Sequence, residues 1–400
     1  MSRFRASSAF RREPVCSDDS YQSVMPARPC LTLFITVLNL LAACGASFAG
    51  DVLLAGGGTC REWFMLEPEG GRITRAAISE IGSILEAHPS GKYLMVPAPS
   101  RQNVAGQESI GLIIGDLNSN SRKNIAISRK EARLHGSRLS PDSSLIALPC
   151  RDKLYLLKVE DGTARNLQAT PEGEKKWIMA FSWSPNGKHV AFYEADSRFA
   201  YKLCVLNIDD GMARALTEQS APSVSMWLGE HMEGQEPIWS ADGKSIYFVA
   251  HFGALDKRMT REPQPKEYET ATPKIFRIEL EGGRTEMLVT GCNPRLNPSY
   301  DYIYFYDCVG HKTKIIHLAT GHVRDINEHC GGSVPAPSPD GKVLAVIPLT
   351  DGMQRMKVNL LGPDGSFMRH FELEPDSASG NQPARQLGSL FWISWSGLTE

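Results

Sequence analysis

Short apolar runs of four or five residues, each closed by turn residues, recur along most of the chain: YLMV, LIAL, HVAFY, SIYFV, YIYFY and VLAVI. They are rich in β-branched and aromatic side chains, as strands buried on both faces require. Each follows one kind of turn: His88-Pro89-Ser90-Gly91-Lys92, Ser140-Pro141-Asp142, Ser184-Pro185-Asn186-Gly187-Lys188, Ser240-Ala241-Asp242-Gly243-Lys244, Asn297-Pro298-Ser299 and Ser338-Pro339-Asp340-Gly341-Lys342. Proline fixes φ, and Asp-Gly or Asn-Gly accepts positive φ, so this chemistry reverses the chain between antiparallel strands. A second column of turns interleaves with the first: Gly70-Gly71, Asn118-Ser119, Asp161-Gly162, Asp210-Gly211, Gly282-Gly283, Thr320-Gly321 and Asp364-Gly365. It follows alternating strands such as KLYLLKV and KIFRIEL and recurs about every 49 residues. Four strands per repeat at this period predict an all-β fold, a β-propeller of four-stranded antiparallel blades.

The two ends of the pattern fit together. The first repeat starts at Asp51 with second, third and fourth strands but no first. The last segment, SLFWISWSG from Ser389, is a first strand with its turn and nothing after it. The termini therefore share one blade, and the ring leaves no open sheet edge. This counts seven blades, or six if the Asn297-Pro298 repeat is not a separate unit.

Ahead of the repeats, residues 31–43 read LTLFITVLNLLAA, too short to span a bilayer as a helix but the length of a secretory apolar core, with Arg28 as a positive flank. The 24 residues before Met25 are long for a leader, which suggests that translation begins at Met25. Two cleavage points compete. Leu41-Ala42-Ala43-Cys44 resembles a lipobox, with Cys44 the lipid-bearing residue; Ser47-Phe48-Ala49 suits ordinary cleavage before Gly50. Residues 1–43 are read as targeting segment, 44–50 as a short linker and 51–400 as one propeller domain. The product is exported: periplasmic, or an outer-membrane-anchored lipoprotein if Cys44 is acylated, since Gly45 is not an acidic retention signal.

A net charge of −2 gives no basic footprint for nucleic acid. Of nine cysteines, Cys60, Cys150, Cys204, Cys292, Cys308 and Cys330 remain in the exported domain; six allow 15 pairings. Cys292 and Cys330 fall at similar places before successive strands and are the first pair to test. Buried free thiols are the alternative, with Cys204 inside the apolar run KLCVLNI.

The stretch FSWSPNGKHVAFYEADSRFAYKLCVLNIDDGMARALT (181–217), the repeat at 237–290 and the Ser338–Lys342 turn resemble the propeller repeat of TolB-family proteins, over roughly residues 50–400. The resemblance implies export and a propeller that holds other envelope proteins, such as a peptidoglycan-associated lipoprotein. The chain departs from that family in lacking an α/β domain ahead of the blades.

Trp183, Trp239 and Trp395 share one column, two residues before the turn's proline position, with Leu139 and Leu296 filling it elsewhere. An aromatic ligand platform and blade-to-blade packing both fit such a column, and packing is the expectation adopted. Binding residues are expected in the two longest connections, 219–237 and 251–273, which flank blade five. The candidates are Trp227, Glu230, His231, Glu233, His251, Phe252, Lys257, Arg258 and Tyr268. A second candidate set is His135, His231 and His329, each ahead of a first strand in blades three, five and seven. Three imidazoles converging at the channel mouth would hold a transition metal, as in some propeller lyases acting on acidic sugars. No G-x-S-x-G, P-loop or dinucleotide fingerprint occurs. The favoured expectation is a non-enzymatic scaffold with no cofactor that binds an envelope protein or cell-wall component. The alternative is a metal-dependent carbohydrate-active enzyme.

Overall fold

The computed structural model describes most residues between 49 and 396; residues 1–48, 397–400 and several internal segments, the longest being 218–235, 251–272 and 374–388, lie outside the described set. The described residues form seven four-stranded antiparallel sheets. Numbered as blades along the chain, they span 49–77 with 389–396, then 86–128, 138–168, 177–215, 238–290, 292–325 and 336–373. In six blades the four strands lie side by side in chain order. Blade 1 instead takes Ser389–Ser396 as its first strand, paired over its whole length with Ala49–Gly56, from Ala49 opposite Ser396 to Gly56 opposite Ser389. The terminal strands thus share a blade as the repeat pattern predicts. The pairing begins at Ala49, inside the stretch expected to be linker. The Asn297 repeat is a complete sheet, 292–325.

The sheets follow one another in a closed circuit. Apolar clusters weld blade 2 to 3, 3 to 4, 4 to 5, 5 to 6 and 6 to 7. Among the described residues, Ser389–Ser396 contributes to both remaining joints, touching Ala336–Pro337 of blade 7 on one side and Glu86–Ala87 of blade 2 on the other, and Gly71 of blade 1 lies against Arg369 of blade 7. First strands also touch first strands between blades 4 and 5 and between blades 5 and 6. Fourth strands such as Ala213–Ala215 are exposed. First strands therefore encircle the axis and fourth strands form the rim: the chain is a β-propeller.

Sequence explains each layer. In Ser245–Ala250 every residue is buried, because this second strand is covered by a neighbouring blade on either face. Among the described residues the turn columns form as predicted; His88–Lys92 and Asn118-Ser119 lie outside them. In blades 3, 4, 5 and 7 the turn's Ser hydroxyl donates to the Asp or Asn two residues on, at 2.6–2.7 Å. The same hydroxyl accepts the backbone N–H five residues on, at 2.9–3.0 Å. Gly187, Gly243 and Gly341 supply the positive φ of 68–72° that the reversal needs.

At Trp183 and Trp239 the tryptophan column is packing; the Trp395 side chain lies outside the described set. Trp239 is 4% exposed. Its indole N–H donates to the Ser182 carbonyl of blade 4 at 3.3 Å, and that of Trp183 to the Arg138 carbonyl of blade 3 at 3.2 Å. Each ring therefore ties a blade to its predecessor while filling the space between them. Blades 4 and 5 are further joined at Val249, whose N–H donates to the Tyr193 hydroxyl (2.9 Å) and whose carbonyl accepts from that of Tyr201 (3.4 Å).

The cysteine expectation needs correction. Cys292 is bonded to Cys308, not to Cys330, with Cα atoms 6.8 Å apart. The hairpin register is the reason. Cys292 lies opposite Tyr306 on the adjoining strand, so Cys308 is two residues past its partner position. Cys330 is instead a buried thiol in the core between blades 6 and 7, and burial pushes its pKa up to about 12. Cys204 is also a buried free thiol.

Candidate functional site

The first strands of blades 3 and 6 each carry an arginine two residues before the turn's leading Ser or Asn: Arg138 before Ser140 and Arg295 before Asn297. In blade 5, Glu236 lies four residues before Ser240, just ahead of the strand Ile238–Trp239. These three side chains meet. Glu236 Oε1 accepts from Arg138 Nη2 at 2.9 Å, and its Oε2 lies 3.4 Å from Arg295 Nη1. Blade 4 stands between blades 3 and 5, and two blades stand between 3 and 6. A bond between them must cross the space that the first strands enclose, so the cluster lies at the ring axis. The side chains are 15% (Glu236), 27% (Arg138) and 42% (Arg295) exposed, reachable by solvent yet partly shielded from it. In such surroundings charge-assisted hydrogen bonds are stronger than on an open surface. The buried Tyr193 phenol is held well above its ordinary 10.0, by burial first, then by Tyr201, with a smaller push from Glu236. It stays protonated at neutral pH beside the cluster.

A second carboxylate lies in blade 4. Glu194 is buried and receives Lys202 at 2.9 Å from the strand opposite and Lys176 at 3.1 Å from just ahead of the first strand. A doubly paired buried carboxylate of this kind holds neighbouring elements in register, since removing both partners would strand its charge.

The axial cluster lies beside the roots of the two long connections. Glu236 is the first described residue after 218–235. Ala250 and Pro273 bracket 251–272, Ala250 pairs with Lys274, and Gly291 N–H donates to the Pro273 carbonyl at 2.9 Å. Both connections therefore leave from the same end of blade 5, the end opposite its Ser240 turn. Trp227, Glu230, His231, Glu233, His251, Phe252, Lys257, Arg258 and Tyr268 fall within these connections and lie outside the described residues, as do His135 and Cys44.

His329 is described and is not at the channel mouth. Residues Asn327–Cys330 form a helical turn (α1) whose Cys330 is sunk between blades 6 and 7. That turn lays the His329 ring against Phe367, centroids 4.9 Å apart, on the fourth strand of blade 7. Its carbonyl accepts from Asn359 Nδ2 at 2.6 Å. Among the described residues no group of three or more His, Cys, Asp or Glu side chains is placed to hold a metal ion. A shallow hollow on blade 6, lined by Tyr302, Ile315, His317, Thr320, His322 and Arg324, lies on the outer strands. Its His317 Nδ1 is engaged with the Thr320 hydroxyl (3.0 Å) in a turn.

The axial cluster carries no motif that spacing within one repeat reveals. Superposing the repeats on their turns would have shown it, because arginine recurs at one position in blades 3 and 6 only.

No family model matches the chain, and no curated protein matches it. Among solved structures it is similar to TolB from Acinetobacter baumannii, at 16% identity and TM-score 0.45 over 89% of this chain and 85% of that one. It is similar to the periplasmic gluconolactonase PpgL of Pseudomonas aeruginosa, at 14% identity and TM-score 0.49 over 86% and 99%. A third likeness is to hydrazine synthase of Kuenenia stuttgartiensis, at 14% identity and TM-score 0.46 over 76% and 89%. The propeller assignment rests on the seven sheets and their closed circuit, not on these likenesses. Among the described residues no helix is long and apolar enough to cross a membrane.

Proposed function

We propose that the chain is an exported propeller acting as a non-enzymatic binding scaffold in the cell envelope, anchored by a lipid on Cys44. Its partner is an envelope protein or a cell-wall component, engaged through 218–235 and 251–272. The observation that carries this reading is the common root of the two longest connections of blade 5 at one end of the ring. Long connections rooted at one end of a rigid ring are the usual place for binding residues. Two features support export: the apolar leader ending in Leu41-Ala42-Ala43-Cys44, and the Cys292–Cys308 disulfide, which suits an oxidising compartment.

Site-specific photocrosslinking in cells tests the reading. A photoreactive residue at Trp227 or Tyr268 is expected to trap one discrete envelope component. The same residue at Lys244, on the turn end of blade 5, is expected to trap none. Equal yields from both ends would overturn it. Cys44→Ala is expected to move the protein from the membrane fraction to the soluble periplasm; an unchanged distribution would remove the anchor. The rival metal-centred enzyme is tested by elemental analysis of the purified protein. A stoichiometric transition metal that His231→Ala loses would replace the scaffold reading.

A further inference from the structure

We propose that the paired arginines at the ring axis, Arg138 and Arg295, are a binding site for an organic carboxylate, and that Glu236 occupies it as an internal competitor. The proposal is independent of the partner reading above, since it uses only these three side chains. The geometry supplies the template. One planar carboxylate bridges two guanidinium groups from opposite parts of the ring, one oxygen to each, at 2.9 and 3.4 Å. Guanidinium groups present planar forks that match two carboxylate oxygens. The two contacts are unequal. Arg138 holds Glu236 at a normal hydrogen-bond distance and is braced by its own donation to the Ser137 carbonyl at 3.1 Å. Arg295 reaches Glu236 with one nitrogen at the longer distance, and its side chain is 42% exposed.

Two unusual positions lie just before Arg295 in the chain. Gly291 precedes its strand at a spot where a Cβ would lie 2.5 Å from the Phe305 ring and 2.8 Å from the Tyr306 carbonyl. Asn293, two residues before Arg295, takes a left-handed φ of 52°, and its buried amide oxygen has no hydrogen-bond partner among the described residues. Left-handed backbone at a non-glycine residue and an orphaned polar atom are both costly, and they concentrate at functional positions. An incoming carboxylate would take the place of the Glu236 carboxylate between the arginines, with no change in the count of charges paired there.

The test is titration of the folded full-length chain with acetate and, separately, inorganic phosphate, each against chloride at equal ionic strength. Glu236→Gln keeps the side-chain shape and removes the competing charge. It is expected to bind acetate at least about tenfold more tightly than the parent, the scale set by losing one charge-assisted competitor. Adding Arg295→Ala to that variant is expected to abolish the gain. A folded Glu236→Gln protein that binds acetate no better than chloride would overturn the proposal: the cluster would then be an internal ion pair only. Tighter binding of phosphate than of acetate would overturn the carboxylate assignment. If Glu236→Gln does not fold in chloride, refolding in acetate decides: recovery supports the site, and failure in both salts overturns it.

Discussion

Blades 5 and 6 reach the same turn by different chemistry. In blade 5 two side chains share the work: the Ser240 hydroxyl accepts the Ser245 N–H, the Asp242 carboxylate accepts the Lys244 N–H, and Gly243 takes the positive φ of 68°. In blade 6 the Asn297 side chain makes both backbone contacts, and its Nδ2 donates to the Ser299 hydroxyl. Its amide oxygen accepts both the Asp301 and the Tyr302 N–H at 2.9 Å, and Tyr300 takes a φ of 60°. The backbone closure is the same, Gly243 N–H to the Ser240 carbonyl and Tyr300 N–H to the Asn297 carbonyl, each 2.9 Å. The column before the turn differs as well: buried Trp239 in one, half-buried Leu296 in the other. The ring specifies positions of donors, acceptors and volume rather than residue names. A blade that departs from the repeat's consensus is therefore still a full member.

Changes at matched positions test this equivalence. The largest effect is expected from Trp239→Ala, which empties a buried volume between two blades and removes the hydrogen bond to Ser182. It should cost about 3–5 kcal/mol in denaturant unfolding, and Leu296→Ala roughly half as much. Equal costs would mean that the column does not weld the blades as described. Asn297→Ala strips two backbone N–H groups of their acceptor and should cost roughly 1–3 kcal/mol, more than Ser240→Ala, where Asp242 still holds part of the turn. Tyr300→Gly should stabilise by about 0.5 kcal/mol. It relieves a left-handed residue, and the extra freedom of glycine in the unfolded chain offsets part of the gain. The smallest effect is in pH. The Ser240 hydroxyl, then the Lys244 N–H, hold the Asp242 carboxyl below its ordinary 3.8. A lowered folded-state pKa contributes stability that is present above the ordinary value and lost as pH falls through the lowered one. Acid titration of Tm should therefore show a shallower decline below pH 4 in Asp242→Asn than in the parent. Asn297→Asp should introduce a new acid-sensitive step into blade 6.

Much of this was legible because it is local. The Ser-Pro-Asp-Gly turns, the buried second strands and the missing first strand of the opening repeat are read from neighbouring residues, and among the described residues the structure places them as expected. What was missed depends on strand register, on one irregular turn and on contacts between blades. Cys292 and Cys330 look alike in the repeat alignment, but bonding follows the hairpin register, which brings Cys308 to Cys292. His329 was assigned by its position ahead of a first strand; the helical turn 327–330 carries it outward to Phe367. The Arg138–Glu236–Arg295 cluster draws on blades 3, 5 and 6, and no window of one repeat contains it. Of the candidate site residues, only His329 falls among those described.

The central claim is that the ring is closed by pairing Ser389–Ser396 with Ala49–Gly56. Truncation at residue 388 tests it most directly, followed by thermal unfolding of parent and truncated protein. Closure predicts that removing this one strand exposes the edge of blade 1, opens both of its joints to blades 7 and 2, and sharply lowers the melting temperature of the whole ring. A truncated protein that melts with the parent's midpoint and cooperativity would contradict it.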